Sequence, residues 1–148
     1  MAEAMLHYFC RPTAPKKAEL PVEFVPVQQF LADEPACQRL WEFASTQFRT
    51  RRVFLMIWQA VRFLALHRDA AGQVDGLLLV SEQHNWQIDY VVVDPAARGQ
   101  GVAKALVNAA LNEALKRGVP YVTLTSREGL RRLYEGECGF TVVGRKEG

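Results

Sequence analysis

The segment that decides the fold of this chain is Val93-Asp94-Pro95-Ala96-Ala97-Arg98-Gly99-Gln100-Gly101-Val102-Ala103. The β-branched run of residues 88–93 is typical of a buried strand, which ends at Asp94 and the following proline. A helical pattern begins after Gly101, and the loop between strand and helix holds two glycines that flank one residue. Glycine lets the backbone turn tightly and lets a ligand approach the bare main chain. Because the first amides of a helix lack internal partners, the loop predicts a site for an anion, typically a phosphate, with Arg98 beside it.

Two other phosphate motifs fit this segment less well. A dinucleotide fingerprint requires Gly or Ala at the sixth position of GxGxxG, and that position is Lys104 here. A P-loop requires four residues between its first glycine and a Gly-Lys-Ser/Thr sequence, which the chain lacks. A plain helix-capping loop therefore remains the alternative to a phosphate site.

The N-terminal half contains shorter and weaker signals. A strand, Met5–Cys10, precedes a connector rich in proline and lysine, so we assign residues 1–20 to an extension and residues 21–148 to a single domain. Residues 22–27 suggest a strand that Pro26 limits. Asp33-Glu34-Pro35 is typical of a helix start. Residues 53–59 are apolar throughout, so periodicity does not separate a buried helix from a strand.

The elements around the deciding segment are clearer. Residues 61–67 and 74–80 predict a hairpin, because a turn sequence ending in Gly72 separates them. After Gly101 an apolar stripe predicts a helix that Gly118 caps; the stripe comprises Ala103, Leu106, Val107, Ala110 and Ala114. Residues 121–125 predict a strand, residues 128–134 a short helix and residues 140–143 a last strand. This order predicts a mixed α/β or α+β domain with one central sheet.

Composition excludes several classes of protein. The 49% of apolar residues and 23% of charged residues are ordinary globular values, so global disorder is excluded. A net charge of +2 gives no support for nucleic-acid binding. Cys10, Cys37 and Cys138 form no CxxC pair, so no zinc site is indicated and a reducing cytoplasm fits best. We see no signal peptide and no apolar run long enough to span a bilayer.

Two motifs carry a resemblance to a known family. Arg98-Gly99-Gln100-Gly101-Val102-Ala103 matches every defined position of the Arg/Gln-x-x-Gly-x-Gly/Ala signature of the GNAT acetyltransferase superfamily. Leu133-Tyr134-Glu135-Gly136-Glu137-Cys138-Gly139-Phe140 resembles the family's Leu-Tyr-Glu-x-x-Gly-Phe block, stretched by one residue. Both lie within residues 88–143, in the family's order and spacing. The resemblance implies an acyl-CoA N-acyltransferase fold, with a central, mostly antiparallel sheet flanked by helices.

The resemblance also implies how acetyl-coenzyme A would bind, without a metal. The loop and the first helical turn would hold the coenzyme A pyrophosphate through the amides of Gly99, Gln100, Gly101, Val102 and Ala103, beside Arg98. The edge of the preceding strand, Val91, Val92 and Val93, would pair with the pantetheine as a partial extra strand. The thioester would lie where the sheet splays. Ser126 and Arg127 are candidates to touch the cofactor arm, although the family often has asparagine near there.

Two residues are candidates for proton transfer. The resemblance makes Tyr134 the acid for the leaving sulfur, and a phenol is a suitable donor at neutral pH; the alternative is a core aromatic. Asp89 is the candidate base, directly or through water, because Gln87 occupies a position where many relatives have glutamate. Strict strand alternation predicts that Gln87, Asp89, Val91 and Val93 face one side. A structural acid at position 89 and an amine that arrives neutral are the alternatives.

Other residues receive ordinary roles. His7, His67 and His84 lack metal-like spacing, so surface or core positions are expected. The arginine-rich residues 49–52 are expected to form a solvated cluster beside a helix end. Cys138 lies near the expected thioester, but the motif tolerates many residue types there, so we assign it no catalytic role.

The chain ends at Gly148, soon after the last predicted strand. GNAT relatives usually continue into one more strand, so the domain is expected to be short at its C-terminus. The missing strand would leave a neighbouring strand with an open edge. We expect Met5–Cys10, or a second subunit of a homodimer, to cover that edge.

The sequence thus predicts an N-acetyltransferase that passes an acetyl group from acetyl-CoA to a primary amine by direct attack. The alternative from another class is a sensor that binds acetyl-CoA without turnover. Gln87 supports this alternative, because glutamine cannot act as a base. A toxin that acetylates charged tRNA is disfavoured by the near-neutral charge. The acceptor is not identified, and another acyl group is equally compatible with the motifs.

Overall fold

A computed structural model describes residues 3–17, 19–32, 42, 60–82 and 85–147. The strands of this part are β1 (Met5–Cys10), β2 (Glu23–Pro26), β3 (Val61–Arg68), β4 (Val74–Glu82), β5 (Trp86–Val93), β6 (Val122–Arg127) and β7 (Thr141–Lys146). The α-helices are α1 (Val27–Ala32) and α2 (Val102–Lys116). Single 3-10 turns cover Pro95–Ala97 and Glu128–Leu130, and a π-helical turn covers Arg132–Glu137.

The described strands form one sheet in the order β2-β3-β4-β5-β6-β1-β7. Neighbouring strands are antiparallel except for β5 and β6, which run parallel because α2 connects them. The prediction of a mixed α/β domain with a central, mostly antiparallel sheet flanked by helices is therefore confirmed.

Strand β1 lies inside the sheet rather than at its edge. It pairs with β6 from Met5↔Arg127 to Cys10↔Val122 and with β7 on its other side. Leu6 and Tyr8 alternate inward along it and are each 1% exposed. The prediction that Met5–Cys10 covers a strand edge is confirmed. Residues 1–20, set apart in the sequence as an extension, thus contribute an interior strand.

The core lies on both faces of the sheet. Helix α2 buries Leu106, Val107, Ala110, Leu111 and Ala114 against one face. The opposite face of the sheet buries the strand side chains that alternate with those facing α2. They are Leu64, Leu66, Leu77, Leu79 and Val92. A side chain at Gly76 would place its Cβ 2.4 Å from Val102 Cγ1 and 3.0 Å from Leu106 Cδ1. The glycine therefore lets the first turns of α2 pack directly on β4.

Two local predictions were wrong in detail. Val27 begins α1 instead of continuing the strand, which ends at Pro26. The short helix predicted for residues 128–134 is a 3-10 turn followed by a π-helical turn that extends to Glu137. The π-helical turn holds one residue more than an α-turn, which accommodates the stretched motif. The predicted helix start at Asp33, residues 49–59 and His84 lie outside the described residues.

Candidate active site

The loop before α2 has the geometry of an anion site. Gly99 and Gly101 adopt left-handed φ angles of +79° and +80°, and a Cβ on either would meet no atom within 4 Å. Gly101 is the N-cap of α2, and no described side chain caps this helix. The first helical hydrogen bond runs from the Ala105 amide to the Gly101 carbonyl, 3.0 Å. The amides of the first turn therefore have no partner within the helix, and the two loop glycines leave open space beside them.

The preceding turn is anchored to the sheet. The Asp94 carboxylate accepts a hydrogen bond from the Ala96 amide at 3.0 Å. The Asp94 amide donates to the Asp75 carbonyl at 2.7 Å, and Asp94 is buried. These bonds fix the point where β5 ends, so the glycine loop and exposed Arg98 have a defined position relative to the strand.

Strands β5 and β6 pair over only three positions and then diverge. The pairs are Trp86↔Val122, Gln87↔Thr123 and Ile88↔Leu124. Beyond them a cleft of about 670 Å³ opens between the two strands. Its walls include both strand ends, Arg98, Ala103 and Tyr134. Backbone groups of β5 after Ile88 thus face a gap where a further strand would bind.

A β-bulge at Asp89 reverses the side-chain alternation of β5. Leu79 pairs with Tyr90 and Val80 pairs with Ile88, so the strand register skips Asp89. Val91 and Val93 consequently pack on the α2 face, whereas Tyr90 and Val92 pack on the opposite face. The predicted alternation, which placed Val91 and Val93 on the side of Asp89, was therefore wrong.

Asp89 lies in a polar but shielded position at the cleft. Gln87 Nε2 donates a hydrogen bond to Asp89 Oδ1 at 3.1 Å, whereas Oδ2 is buried without a hydrogen-bond partner. Burial raises the pKa of Asp89, and hydrogen bonds from Ser81 and Gln87 offset only part of that rise. A hydrogen-bond donor that reaches Oδ2 would stabilise the charged form of this carboxylate.

Tyr134 lies on the π-helical turn and is 5% exposed. Its ring centroid lies 5.3 Å from that of Tyr8 and 6.1 Å from that of Phe140. Burial raises the pKa of Tyr134 to about 12, although a hydrogen bond with Ser126 lowers it in part. The phenol therefore stays protonated at neutral pH and is available as a proton donor at the cleft.

The structure brings together most of the residues that the sequence selected. The cleft is lined by Asp89, Val91, Val92, Val93, Arg98, Ala103, Ser126, Arg127 and Tyr134. Gly99, Gln100 and Gly101 form the exposed loop beyond the lining, and the Val102 side chain is buried against the sheet instead. Thr125 and Met5 also line the cleft. Sequence reasoning missed them because their position depends on the pairing of β1 with β6.

Two residues with an expected ordinary role are buried. His67 is 8% exposed, and its Nδ1 lies 2.5 Å from Asp75 Oδ1, which is a core role. Burial raises the pKa of Cys138 to about 11, so it remains a thiol at neutral pH.

Across the described segments, no helix is long and apolar enough to cross a membrane. The same segments hold no group of three or more His, Cys, Asp or Glu side chains that could bind a metal ion.

Similar structures share this fold. A GCN5-related N-acetyltransferase from Sphaerobacter thermophilus is 26% identical, with a TM-score of 0.69 over 97% of this chain and 49% of that chain. A Novosphingobium aromaticivorans protein described as an acetyltransferase of the GNAT family is 16% identical, with a TM-score of 0.69 over 97% of this chain and 61% of that one. The chain thus spans about half to three fifths of the length of these two structures.

A third structure contains the expected cosubstrate. It is a Bacillus anthracis protein described as a streptothricin acetyltransferase, in complex with acetyl coenzyme A. It is 20% identical, with a TM-score of 0.50 over 57% of this chain and 50% of that chain. A search of curated protein sequences found no significant match. The model of the acetyltransferase (GNAT) family matches residues 28–140. The chain belongs to the acetyltransferase (GNAT) family.

Proposed function

We propose that this protein is an N-acetyltransferase that transfers the acetyl group of acetyl-CoA to a primary amine by direct attack. One observation carries the proposal: the cleft between β5 and β6 extends from Arg98 and Ala103, which flank the glycine loop, to the buried, protonated Tyr134. A binding loop alone would serve a sensor equally well. A protonated phenol beside the gap adds the chemistry that a departing thiolate needs.

The residues present fit acetyl-CoA. The two left-handed glycines leave the amides of Gly99 to Ala103 accessible to a pyrophosphate, and Arg98 is exposed beside them. The unpaired backbone edge of Val91, Val92 and Val93 is suited to the amides of a pantetheine arm. When bound, acetyl-CoA supplies the thioester carbon that an amine attacks.

The chain's own groups would then position the reactants and move protons. Tyr134 would protonate the leaving sulfur, because its phenol lines the cleft and carries its proton at neutral pH. Ser126 would orient that phenol through their hydrogen bond rather than serve mainly as a cofactor contact, whereas Arg127 remains a proposed contact of the cofactor arm. The free Oδ2 of Asp89 would accept a hydrogen bond from the amine, directly or through a water molecule. Holding the amine and the thioester in line supplies much of the acceleration.

Calorimetry with acetyl-CoA tests the cofactor site, comparing wild type with Gly101→Glu. A unit charge about 4 Å from a pyrophosphate costs up to roughly 4 kcal/mol near a protein surface, so we expect affinity to fall by up to about 1,000-fold. Gly72→Glu is the matched control, because Gly72 also has a left-handed φ, +84°, and open space around its Cβ. It should bind like wild type, and equal affinities for all three proteins would refute the site.

Turnover separates an enzyme from a sensor. We expect Tyr134→Phe to retain acetyl-CoA affinity while the transfer rate falls by about 10²- to 10⁴-fold, as for loss of a general acid. Release of free coenzyme A in the presence of primary amines is the measurement. Tight binding with no amine-dependent release in the wild type would favour the sensor.

A further inference from the structure

We propose that the buried pair His67 and Asp75 holds the glycine loop in the shape that binds a pyrophosphate, so that both are positioning residues for acetyl-CoA. This inference rests on the proposed function, because it concerns the loop that would bind the cofactor. A core position accounts for the burial of His67 but not for its place beside this loop. Nothing in the sequence relates the histidine to the glycines before α2.

The pair lies in a buried polar corner of the domain. Of the acidic, basic and histidine residues that the structure describes, only His67, Asp75 and Asp94 are buried. His67 Nδ1 lies 2.5 Å from Asp75 Oδ1. Because a carboxylate only accepts hydrogen bonds, the proton of this bond belongs to Nδ1. A hydrogen bond to a charged group in a shielded position is among the stronger ones in a protein, so it joins β3 firmly to β4.

This hydrogen bond holds a residue that the strand register skips. Asp75 lies between the β4 partners of His67 and Arg68, outside the regular β3–β4 ladder. The Asp75 carbonyl nevertheless accepts the Asp94 amide at 2.7 Å, directly after the last residue of β5. By holding the Asp75 side chain on β3, His67 limits the directions in which that carbonyl can point. The end of β5 is therefore fixed through the pair.

The same corner lies beside the start of α2. Gly76 follows Asp75, and a Cβ at Gly76 would stand 3.5 Å from His67 Cβ and 2.4 Å from Val102 Cγ1. The His67 side chain therefore lies on the α2 face of the sheet, close to the first residue of the helix. The pair is thus near both ends of the glycine loop, the strand end at Asp94 and the helix start at Val102.

The loop amides can converge on one anion only when the ends of the loop are fixed. Asp94 extends the support into the loop, because its carboxylate accepts the Ala96 amide at 3.0 Å and its carbonyl accepts the Ala97 amide at 2.8 Å. A loop without this support is competent for only part of the time, and the apparent affinity falls with that fraction. Loss of the pair should therefore weaken cofactor binding and spare the chemical step, whose proposed groups, Asp89 and Tyr134, are not part of this corner.

The test removes the pair without leaving a buried charge. In the double variant His67→Leu/Asp75→Leu, apolar side chains replace the hydrogen-bonded pair, an exchange that often leaves stability unchanged or raised. His67→Asn is the conservative variant, since its Nδ2 can occupy the place of Nδ1 and donate to Asp75. His67→Gln places its amide one bond farther away and gives the same test if the double variant does not fold. Glu23→Gln is the matched control: it weakens only the ion pair of the next residue, in which Arg68 Nε lies 2.7 Å from Glu23 Oε1.

The first measurement is amide hydrogen exchange in the free protein, which needs no ligand. The amides of Asp94, Ala96 and Ala97 donate the bonds that the pair would support. We expect them to exchange about 10- to 100-fold faster in the double variant, as for loss of a hydrogen bond to a charged group. The Arg117 amide, at the far end of α2, should keep its rate. Unchanged loop amides, or equal acceleration at Arg117, would overturn the positioning role.

The second measurement is acetyl-CoA binding by calorimetry, together with kinetics at saturating acetyl-CoA and a primary amine. We expect the affinity of the double variant to fall about tenfold, while kcat stays within about twofold of wild type. His67→Asn should recover most of the affinity, and Glu23→Gln should bind like wild type. Wild-type affinity in the double variant, or a loss confined to kcat, would overturn the role of the pair and leave the proposed function intact. Absence of acetyl-CoA binding in the wild type would overturn both.

Discussion

The two sides of strand β6 differ in how completely they are paired. On one side β1 forms six antiparallel pairs with β6, and on the other β5 forms three parallel pairs and then diverges. The closed side satisfies the backbone groups of β6, whereas the open side leaves backbone groups and a cleft of about 670 Å³. The candidate site lies where β5 and β6 do not pair. The complete pairing of β6 with β1 holds β6 in place despite this gap.

The closed side also supports the chemistry of the open side. Tyr8 of β1 packs against Tyr134 and against Phe140, with ring centroids 5.3 Å and 6.3 Å apart. The candidate acid is therefore held by a side chain from the N-terminal strand. Three substitutions test this relation between the two sides.

The largest effect is expected on the closed side, from Tyr8→Ala. Tyr8 is 1% exposed, and truncation of such an aromatic residue typically costs about 3–5 kcal/mol of the free energy of unfolding. Denaturant unfolding measures this loss. Tyr8→Phe is the control: it removes a hydroxyl that is buried without a partner, so stability should stay equal or rise. A loss below about 1 kcal/mol in Tyr8→Ala would mean that β1 is not needed to hold the site.

A smaller loss of the free energy of unfolding is expected from Gly76→Ala, which disturbs the packing of α2 on β4. The new Cβ would lie 2.4 Å from Val102 Cγ1, and overpacking of this kind costs about 1–3 kcal/mol. Because Val102 begins the helix, acetyl-CoA affinity should fall together with thermal stability. Gly136→Ala is the control, since its Cβ would meet only Arg132 Cγ at 3.8 Å. Unchanged melting temperatures in both variants would contradict the close packing of α2.

The smallest effect, with the opposite sign, is expected on the open side from Asp89→Asn. The folded-state pKa of Asp89 is raised by burial, so the folded protein binds this proton more tightly than the unfolded chain. Wild-type stability therefore falls as pH rises above about 4, the ordinary value for aspartate. The variant should gain about 1 kcal/mol at pH 8 and nothing near pH 4. Urea unfolding at both values measures this, with exposed Glu19→Gln as control. A variant that is less stable at pH 8 would show that the hydrogen bonds of the carboxylate outweigh the cost of its burial.

Much of the fold could be predicted because its signals are local. The turn at Gly72, the glycines before α2 and the apolar stripe of α2 each act within a few residues, and the structure has the corresponding hairpin and helix. The face of Val91 and Val93 could not be predicted, because the bulge at Asp89 is a property of the β4–β5 register. The π-helical turn after Arg131 was visible only as one extra residue in a motif.

The sequence by itself determined the strand–glycine loop–helix unit and with it the family, and it predicted a phosphate site at the loop. Local backbone preferences and the unpaired amides of a helix start suffice for that. Only the tertiary structure decided that Met5–Cys10 enters the sheet between β6 and β7 and that Tyr8 supports Tyr134. These contacts join residues more than a hundred positions apart. Their register depends on which apolar faces become buried together, which no local pattern in the chain records.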